Sequence, residues 1–466
     1  MSQTTSQTRV WRWPALVLLC LAQFMVILDV TVVNVALPVM ARDLMLDRAA
    51  LTWVVTAYTL CFGGLMMLGG RLADLLGRRR VFLAGLAVFT VASLAAGLAG
   101  GAGTIVAARA VQGVGAALLS PAALSILTTT FHGPDRNRAL GVWAAVGGSG
   151  AAVGVLVGGL LVSGPGWAWV FFINVPIGIL VAGLAPFAVA AGRGQPGRVD
   201  VPGALLVTAG TATLIYGLVH AGDAGWLGAL AAAAILYAAF ALVEQRVSAP
   251  LVRLGLLARR PMASGLVVML TASALLISGF FVCSLLLQRL LGLSALGTGL
   301  VFLPVAVATI GGAHTAGRLI GRFGPRPIVG IGFGVAALGL ALLAQVRAGA
   351  NPWTAVMPGF VLAAAGLGAG FVVATTTAMS RVDAHHAGMA SGAVNTAHEL
   401  GAALGVAAVS AIAGTSISAA PGLPDSGGFA AALWACALAA GVAAVLTPWL
   451  LPAGPPPATG GPTFVH

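Results

Sequence analysis

The chain has 466 residues, of which 59% are hydrophobic and 7% are charged, and its mean hydropathy is +1.03. A soluble domain carries about 25% charged residues, so this composition excludes an ordinary water-soluble protein and predicts an all-α membrane protein. The net charge is +12, but the arginines are scattered over short loops. Nucleic-acid binding would need them clustered on one face, so we expect no nucleic-acid partner and a chain embedded in the lipid bilayer.

Apolar runs of about 20 residues, the length that crosses a bilayer as a helix, recur along the whole chain. The first run is too long for the core of a signal peptide, so we expect it to remain as a span. The runs predict fourteen spans, at residues 14–38, 50–70, 81–100, 104–130, 139–163, 168–191, 201–220, 226–245, 263–288, 297–317, 327–346, 354–379, 389–414 and 429–451.

Arginine placement predicts the orientation of these spans. The basic residues are all arginine, and most of them fall on the N-terminus and on alternate loops. The opposite loops hold only Arg42, Arg48, Arg289 and Arg347. Cytoplasmic loops carry an excess of basic residues. We therefore expect a multi-pass protein of the cytoplasmic (inner) membrane with both termini in the cytoplasm.

Two similar segments, rich in glycine and arginine, each separate a pair of predicted spans. The first reads GRLADLLGRRR at 70–80, and the second reads GRLIGRFGPR at 317–326. Their spacing of about half the chain indicates that one half of the protein was duplicated. Duplicated halves around a site near the membrane midplane are typical of secondary transporters.

The duplication predicts four parts of the chain. Residues 1–191 would form an N-terminal six-helix bundle, and residues 262–451 a C-terminal one. Residues 192–261 would hold an inserted helix pair with its linkers. Residues 452–466, rich in proline and glycine, would be a disordered cytoplasmic tail.

The two repeated segments are interpreted as a cytoplasmic gate. Glycine permits tight turns and close helix approach, and Asp74 can contact a helix N-terminus or an arginine when the gate is closed. A loop that only obeys the positive-inside rule would explain the arginines but not the repeated glycine spacing. The predicted gate residues are Gly70, Asp74, Gly77, Arg78, Gly317, Arg318 and Gly324.

Three ionisable residues in predicted spans are candidates for proton coupling, because such residues are costly in a membrane. Asp29 and Arg109 could share a depth and form an ion pair, or a chain through Gln112; a static structural pair is the alternative, and the two roles are compatible. Glu399, beside His398, could carry a proton, meet a cationic substrate or lie near the cytoplasmic headgroups.

The fifth predicted span is rich in glycine, which lets helices approach closely in lipid. Generic packing and a hinge between the halves both fit this pattern. Its spaced glycines are Gly141, Gly150, Gly154, Gly158 and Gly159.

A mostly apolar cavity with a few polar anchors suits a lipophilic ligand. The residues predicted to line such a cavity are Asn34, Gln112, Trp143 and Asn395. The cysteines and histidines show no ligand spacing, and no nucleophile with an acid or base partner is apparent. We therefore expect neither an enzyme nor a bound metal or cofactor.

In combination, these motifs resemble the major facilitator superfamily, specifically its drug:proton antiporter branch with fourteen spans. LDVTVVNVALP at 28–38 is similar to the family's span-1 motif, whose acid is tied to proton coupling. RAVQGVG at 109–115 is similar to its span-4 motif, whose arginine is thought to serve proton transfer. The segment 70–80 resembles the hairpin signature, and the span-5 glycines match the antiporter motif.

This resemblance implies two six-helix bundles plus two inserted helices, and proton-coupled efflux of a lipophilic drug or antibiotic by a monomer, conferring resistance or self-protection. Two departures stand out: His398-Glu399 replaces the usual Arg-Gln, and Gly321 replaces the acid of the second hairpin. A transporter of an endogenous metabolite is the nearest alternative. A membrane sensor or scaffold without transport is another, and it would have no need of Asp29 or Arg109.

Overall fold

The computed structural model describes residues 12–131, 139, 142–143, 146, 153–154, 156–189, 200–220, 223–247, 250, 254–380, 382, 387–418 and 426–454. The regular secondary structure within these ranges is helical throughout. Lipid offers no hydrogen bonds to the backbone, so long apolar runs must satisfy their own N–H and C=O groups by forming helices.

The helices fall into an N-terminal half, an inserted pair and a C-terminal half. The first half holds α1 (Arg12–Asp43), α2 (Arg48–Leu76), α3 (Arg78–Gly97), α4 (Ala102–Thr130), α5 (residues 156–163), α6 (Trp169–Phe172) and α7 (Asn174–Ala188). The inserted pair is α8 (Val201–Val219) and α9 (Trp226–Arg246). After the short α10 (Leu254–Leu257), the second half holds α11 (Arg260–Leu285), α12 (Ala295–Phe323), α13 (Pro325–Leu343), α14 (Met357–Met379), α15 (Ala387–Ile412), α16 (Gly414–Ser418) and α17 (Gly427–Leu450).

Twelve helical stretches in the described ranges are long and apolar enough to cross a membrane. They correspond to twelve of the fourteen predicted spans. The predicted span 139–163 lies largely outside the described residues, and the predicted span 389–414 is helical as α15 but is not among the twelve. The total of fourteen therefore stays a prediction, as do the boundaries of the four parts, and most of the predicted tail lies outside the described residues.

The two repeated segments form tight turns between helices, as predicted. Gly77 separates α2 from α3 with φ 97°, and Gly324 separates α12 from α13 with φ 78°. Only glycine adopts such a backbone without strain. We call the membrane face with these two turns the hairpin end and the opposite face the far end.

The other two glycines of the repeated segments, which were expected to permit tight turns or close helix approach, do neither. Gly70 and Gly317 lie inside α2 and α12 and not at a turn. A Cβ atom at Gly70 would be 3.7 Å from Pro121, and one at Gly317 would be 4.0 Å from Val372. Both are ordinary van der Waals distances, so neither position needs glycine for close approach in this conformation.

The apolar cores distinguish the far end from the hairpin end. One core joins the far-end parts of α1 and α2, for example Val35 and Val54, to α11, α12 and α14. A second core belongs to the N-terminal half alone and contains Phe82 and Phe89 of α3. The two halves therefore merge into one core at the far end.

Hydrogen bonds between the halves occupy the same region, from the membrane midplane to the far end. Three of them end on backbone carbonyls of the other half near the far end: Ser284 Oγ to Asn34 (2.5 Å), Gln288 Nε2 to Val35 (2.9 Å) and Arg48 Nη1 to Ser410 (3.4 Å). The Thr52 and Ser410 hydroxyls also bond to each other. These contacts hold the far end closed.

The inserted pair lies against the junction of the two halves. Ile215 of α8 packs on Leu60 of α2 and on Ala403 of α15. A Cβ atom at Gly64 of α2 would come within 2.7 Å of the Thr208 hydroxyl of α8. Helix α8 therefore contacts both halves at once, and α9 packs on α8.

Candidate functional site

A buried ion pair lies within the N-terminal half. Arg109 of α4 donates from Nη1 to Asp29 Oδ2 of α1 at 2.5 Å. The Asp29 side chain is 0% exposed and the Arg109 side chain is 2% exposed. The ion pair expected from the sequence is thus present, and it is sealed from solvent.

Amide side chains complete the hydrogen bonding of the Asp29 carboxylate. Gln112 Nε2 donates to Asp29 Oδ1 at 2.7 Å and to the Ser93 hydroxyl at 2.8 Å, while Gln112 Oε1 accepts from Arg109 at 2.7 Å. Asn174, at the start of α7, donates to the same Asp29 oxygen at 3.1 Å. Asp29 therefore accepts hydrogen bonds from three side chains on two helices. The Ser93 hydroxyl of α3 accepts hydrogen bonds from two of these donors, Gln112 and Asn174.

Helix α2 holds the guanidinium group from the other side. Arg109 Nε donates to the carbonyl of Val54 at 3.0 Å. The ring of Tyr58, one turn further along α2, covers the guanidinium with its centroid 4.2 Å from Cζ. Residues four apart share a helix face, so one face of α2 supplies both contacts. A cation over an aromatic face is attracted to it, more strongly when it is desolvated.

Glycines bring the helices of this site into backbone contact. A Cβ atom at Gly113 of α4 would collide with the carbonyl of Tyr58, which shows how closely α4 lies on α2. Two glycines of the predicted span-5 motif, Gly154 and Gly158, pack against Thr31 and Val32 of α1, close in sequence to Asp29.

The remaining motif glycines have other surroundings or lie outside the described residues. A Cβ atom at Gly159 would be 2.9 Å from Leu296, so this glycine packs against α12 of the other half. Gly141 and Gly150 fall outside the described residues.

Glu399 occupies the junction between the halves. Its Oε1 is 3.2 Å from His398 Nδ1, and its side chain is 12% exposed, against 35% for His398. A Cβ atom at Gly63 of α2 would collide with the Glu399 side chain, and Thr396 donates to the Gly63 carbonyl at 3.1 Å. Among the described residues, no hydrogen bond joins Glu399 to the Asp29 network. Glu399 instead lies against α2 at Gly63.

The predicted gate residues lie at the hairpin end without forming one cluster. Arg78 Nη2 is 3.6 Å from Asp74 Oδ1, and this pair is largely exposed. Arg318 is exposed on α12. Asp74 of the first hairpin thus pairs with Arg78 of the same hairpin.

The predicted cavity residues are dispersed. Gln112 is fully buried in the Asp29 network, and Asn34 donates to the Val30 carbonyl at 3.0 Å while its own Oδ1 has no partner in the described ranges. Asn395 is exposed on α15, and Trp143 is half-buried against the core of the N-terminal half. The four residues thus range from fully buried to exposed, and their role in binding a ligand stays a prediction.

Sequence reasoning missed Ser93 and the role of Tyr58. Ser93 is an uncharged residue in an apolar helix, so nothing in the sequence separated it from other serines. Tyr58 is one of several aromatic residues in α2, and only the rotation of α2 toward α4 shows that its ring covers Arg109. Among the described residues, no three His, Cys, Asp or Glu side chains converge as metal ligands.

Comparison with known proteins adds a family match and relatives of similar length. The model of the Major Facilitator Superfamily matches residues 19–406 and 287–464. A puromycin resistance protein of Streptomyces alboniger is 40% identical over 413 residues, which cover 86% of this chain and 82% of that protein. A cephamycin export protein of Amycolatopsis lactamdurans is 40% identical over 87% of this chain and 86% of its own length. A lincomycin resistance protein of Streptomyces lincolnensis is 38% identical over 85% and 83%.

Solved structures share the fold at low identity. A bacterial homologue of the human lysosomal transporter Spinster, in an inward-facing and unoccupied conformation, has a TM-score of 0.67 at 18% identity and covers 94% of this chain and 96% of its own. The POT family transporter PepTSo has a TM-score of 0.68 at 13% identity, with coverage of 94% and 97%.

Proposed function

Because the chain belongs to the Major Facilitator Superfamily, whose relatives here are transporters and not enzymes, we propose that it exports a lipophilic antibiotic or related drug in exchange for protons. The names of three relatives, which describe puromycin resistance, cephamycin export and lincomycin resistance, support this substrate class. The protein is a multi-pass membrane protein, and its arginine-rich loops favour a cytoplasmic hairpin end.

The fully buried Asp29 carboxylate carries the proton part of the proposal. A buried ion pair contributes little to stability compared with apolar packing of the same volume, and charges inside a membrane are costly. Asp29 nevertheless accepts from Arg109, Gln112 and Asn174. A role in transport explains why this costly group is present, whereas a purely structural role does not.

Protonation of Asp29 would change the packing of the N-terminal half. Hydrogen bonds to an ionised acceptor are stronger than those to a neutral one. When the carboxylate gains a proton, Arg109 of α4 and Asn174 of α7 therefore hold α1 less strongly. Proton binding thus alters the contacts among α1, α4 and α7, which is the requirement for coupling to a conformational change.

In the proposed cycle, this structure is the inward-facing form, closed at its far end. Asp29 loses its proton toward the cytoplasm as the drug enters from the hairpin end. The deprotonated, loaded protein opens at its far end, releases the drug and takes up a proton, with Glu399 as a second acid. The protonated form then returns, and the Asp74 gate at the hairpin end resets.

Everted membrane vesicles provide the test. Respiration acidifies their interior, and a fluorescent pH indicator reports protons that leave when an antibiotic is added. We expect at least one of puromycin, cephamycin and lincomycin to evoke proton release with the wild type. Asp29→Asn keeps the size of the side chain but cannot carry the proton, so it should abolish the signal.

Asp223→Asn is the matched control, because it removes a carboxylate from the exposed segment between α8 and α9. This control should behave like the wild type. If cells gain resistance to one of these antibiotics but vesicles show no proton movement with it, antiport is wrong. Normal coupling in Asp29→Asn would show that another acid carries the proton.

A further inference from the structure

The Asp29 network has no contact with solvent, so a proton that leaves Asp29 needs a route through other side chains. Asp29, Gln112, Asn174 and Ser93 are each 0% exposed. Arg109 cannot relay the proton, because a guanidinium group does not give up its charge in proteins. The route therefore requires another group that both accepts and donates a proton.

The Tyr58 hydroxyl is such a group, and it lies next to the network. The side chain is fully buried, and its hydroxyl has no hydrogen-bond partner among the described residues. Its ring lies over the guanidinium group that pairs with Asp29, with the ring centroid 4.2 Å from Arg109 Cζ. Few buried polar groups in native proteins stay without a partner, so this unpaired hydroxyl beside the Asp29–Arg109 pair indicates a partner in another step of the cycle.

Side-chain exposure increases from Tyr58 of α2 to Glu399 and His398 of α15. The exposed fraction rises from 0% for Tyr58 to 12% for the Glu399 side chain and 35% for the His398 side chain. His398 Nδ1 and Glu399 Oε1 are 3.2 Å apart. The contact at Gly63 keeps α15, and Glu399 with it, against the helix that carries Tyr58.

We propose that Tyr58, Glu399 and His398 form the path by which the Asp29 proton leaves the protein, an inference that rests on the proposed function. The Tyr58 oxygen accepts the Asp29 proton while its own hydroxyl proton passes to the Glu399 carboxylate. Tyrosine is thereby regenerated as a neutral hydroxyl. The Glu399 proton then moves to the neutral ring nitrogen of His398 and from this exposed ring to water.

The path crosses from one half of the protein to the other. Asp29 and Tyr58 belong to the N-terminal half, whereas Glu399 and His398 belong to α15. The path is complete only while α2 and α15 touch at Gly63. Proton release is therefore restricted to conformations in which this contact is made, which prevents a leak of protons during the rest of the cycle.

Time-resolved infrared spectroscopy after a rapid rise in pH tests the path with the proton as the probe. Purified protein in lipid nanodiscs is brought from pH 5 to pH 8, and the carboxyl C=O band that is missing in Asp29→Asn is followed. We expect Tyr58→Phe and Glu399→Gln each to slow the decay of this band at least tenfold. The amplitude of the band should not change.

Tyr58→Phe separates a relay from a structural role, because the hydroxyl it removes makes no hydrogen bond to the described residues. Tyr237→Phe is the matched control: it removes a hydroxyl that bonds to Thr211 at 2.8 Å in the inserted pair, and it should leave the rate unchanged. Wild-type rates in both Tyr58→Phe and Glu399→Gln would overturn the path while the Asp29 assignment stands. Absence of any band that depends on Asp29 would overturn the path and the proposed function together.

Discussion

The N-terminal half joins its first, second and fourth helices through charges, whereas the C-terminal half joins the equivalent helices through aromatic rings. Asp29, Arg109 and Tyr58 connect α1, α4 and α2. Phe280, Phe302 and Phe360 connect α11, α12 and α14, with ring centroids 5.0–5.5 Å apart. Phe280 follows Asp29, and Phe360 follows Arg109, by the same number of positions.

The difference shows where each half can respond to a proton. Edge-to-face ring pairs contribute about 0.5–1.5 kcal/mol each beyond their burial, and no protonation changes them. The ionic contact of the first half adds little net stability but depends on one proton. We therefore expect the first half to carry the chemical switch and the second half to carry rigidity.

Removal of one charge from the ionic contact should have the largest effect. Arg109→Met leaves the Asp29 carboxylate buried without its counter-charge, so we expect a loss of about 3–5 kcal/mol of stability and loss of transport. The double variant Asp29→Leu with Arg109→Met makes the first half apolar like the second. It should recover most of the stability and remain unable to transport.

Thermal unfolding in detergent micelles, combined with the vesicle assay, measures both effects. A double variant as unstable as Arg109→Met would show that the ionic contact is required for folding and not only for transport. Transport by the double variant would contradict the assignment of the switch to this site.

A change in the aromatic contact should lower stability moderately and leave the coupling of protons to drug unchanged. Phe360→Leu keeps an apolar side chain but removes two ring pairs, so we expect a loss of about 1–2 kcal/mol of stability. The ratio of protons to drug should not change, because no ionisable group is touched. A reduced ratio, measured in the vesicle assay on equal amounts of protein, would show that the aromatic contact of the second half also takes part in coupling.

The exposed pair of the first hairpin should have the smallest effect on stability. Asp74 at the end of α2 and Arg78 at the start of α3 are partly exposed, and surface ion pairs contribute about 0.2–1 kcal/mol. Asp74→Asn should therefore shift the unfolding temperature very little. If Asp74 is part of the gate, the variant should still lower the transport rate several-fold; an unchanged rate would remove Asp74 from the mechanism.

The sequence predicted the parts of the fold that follow from local patterns. Apolar runs of bilayer length predicted twelve helices of the described ranges, and glycines in the repeated segments predicted the turns at Gly77 and Gly324. The pairing of Asp29 with Arg109 was also predicted, since two opposite charges in an apolar chain have few other partners.

Features that depend on how helices rotate against each other were not predicted. Ser93 and the Phe280 cluster carry no local signal, because a serine or a phenylalanine in an apolar span has many possible surroundings. The cavity predicted around Asn34, Gln112, Trp143 and Asn395 stays a prediction, and these residues range from buried to exposed in the structure.

The hydrogen bonds that close the far end have a consequence for the diversity of this family. Ser284, Gln288 and Arg48 each donate to a main-chain carbonyl, which every amino acid possesses. The acceptor of each hydrogen bond is therefore kept in any substitution that leaves the helix intact. Closure of the far end is therefore insulated from mutations at residues such as Asn34 and Val35, and the chemistry of these side chains can vary without loss of the closing hydrogen bonds.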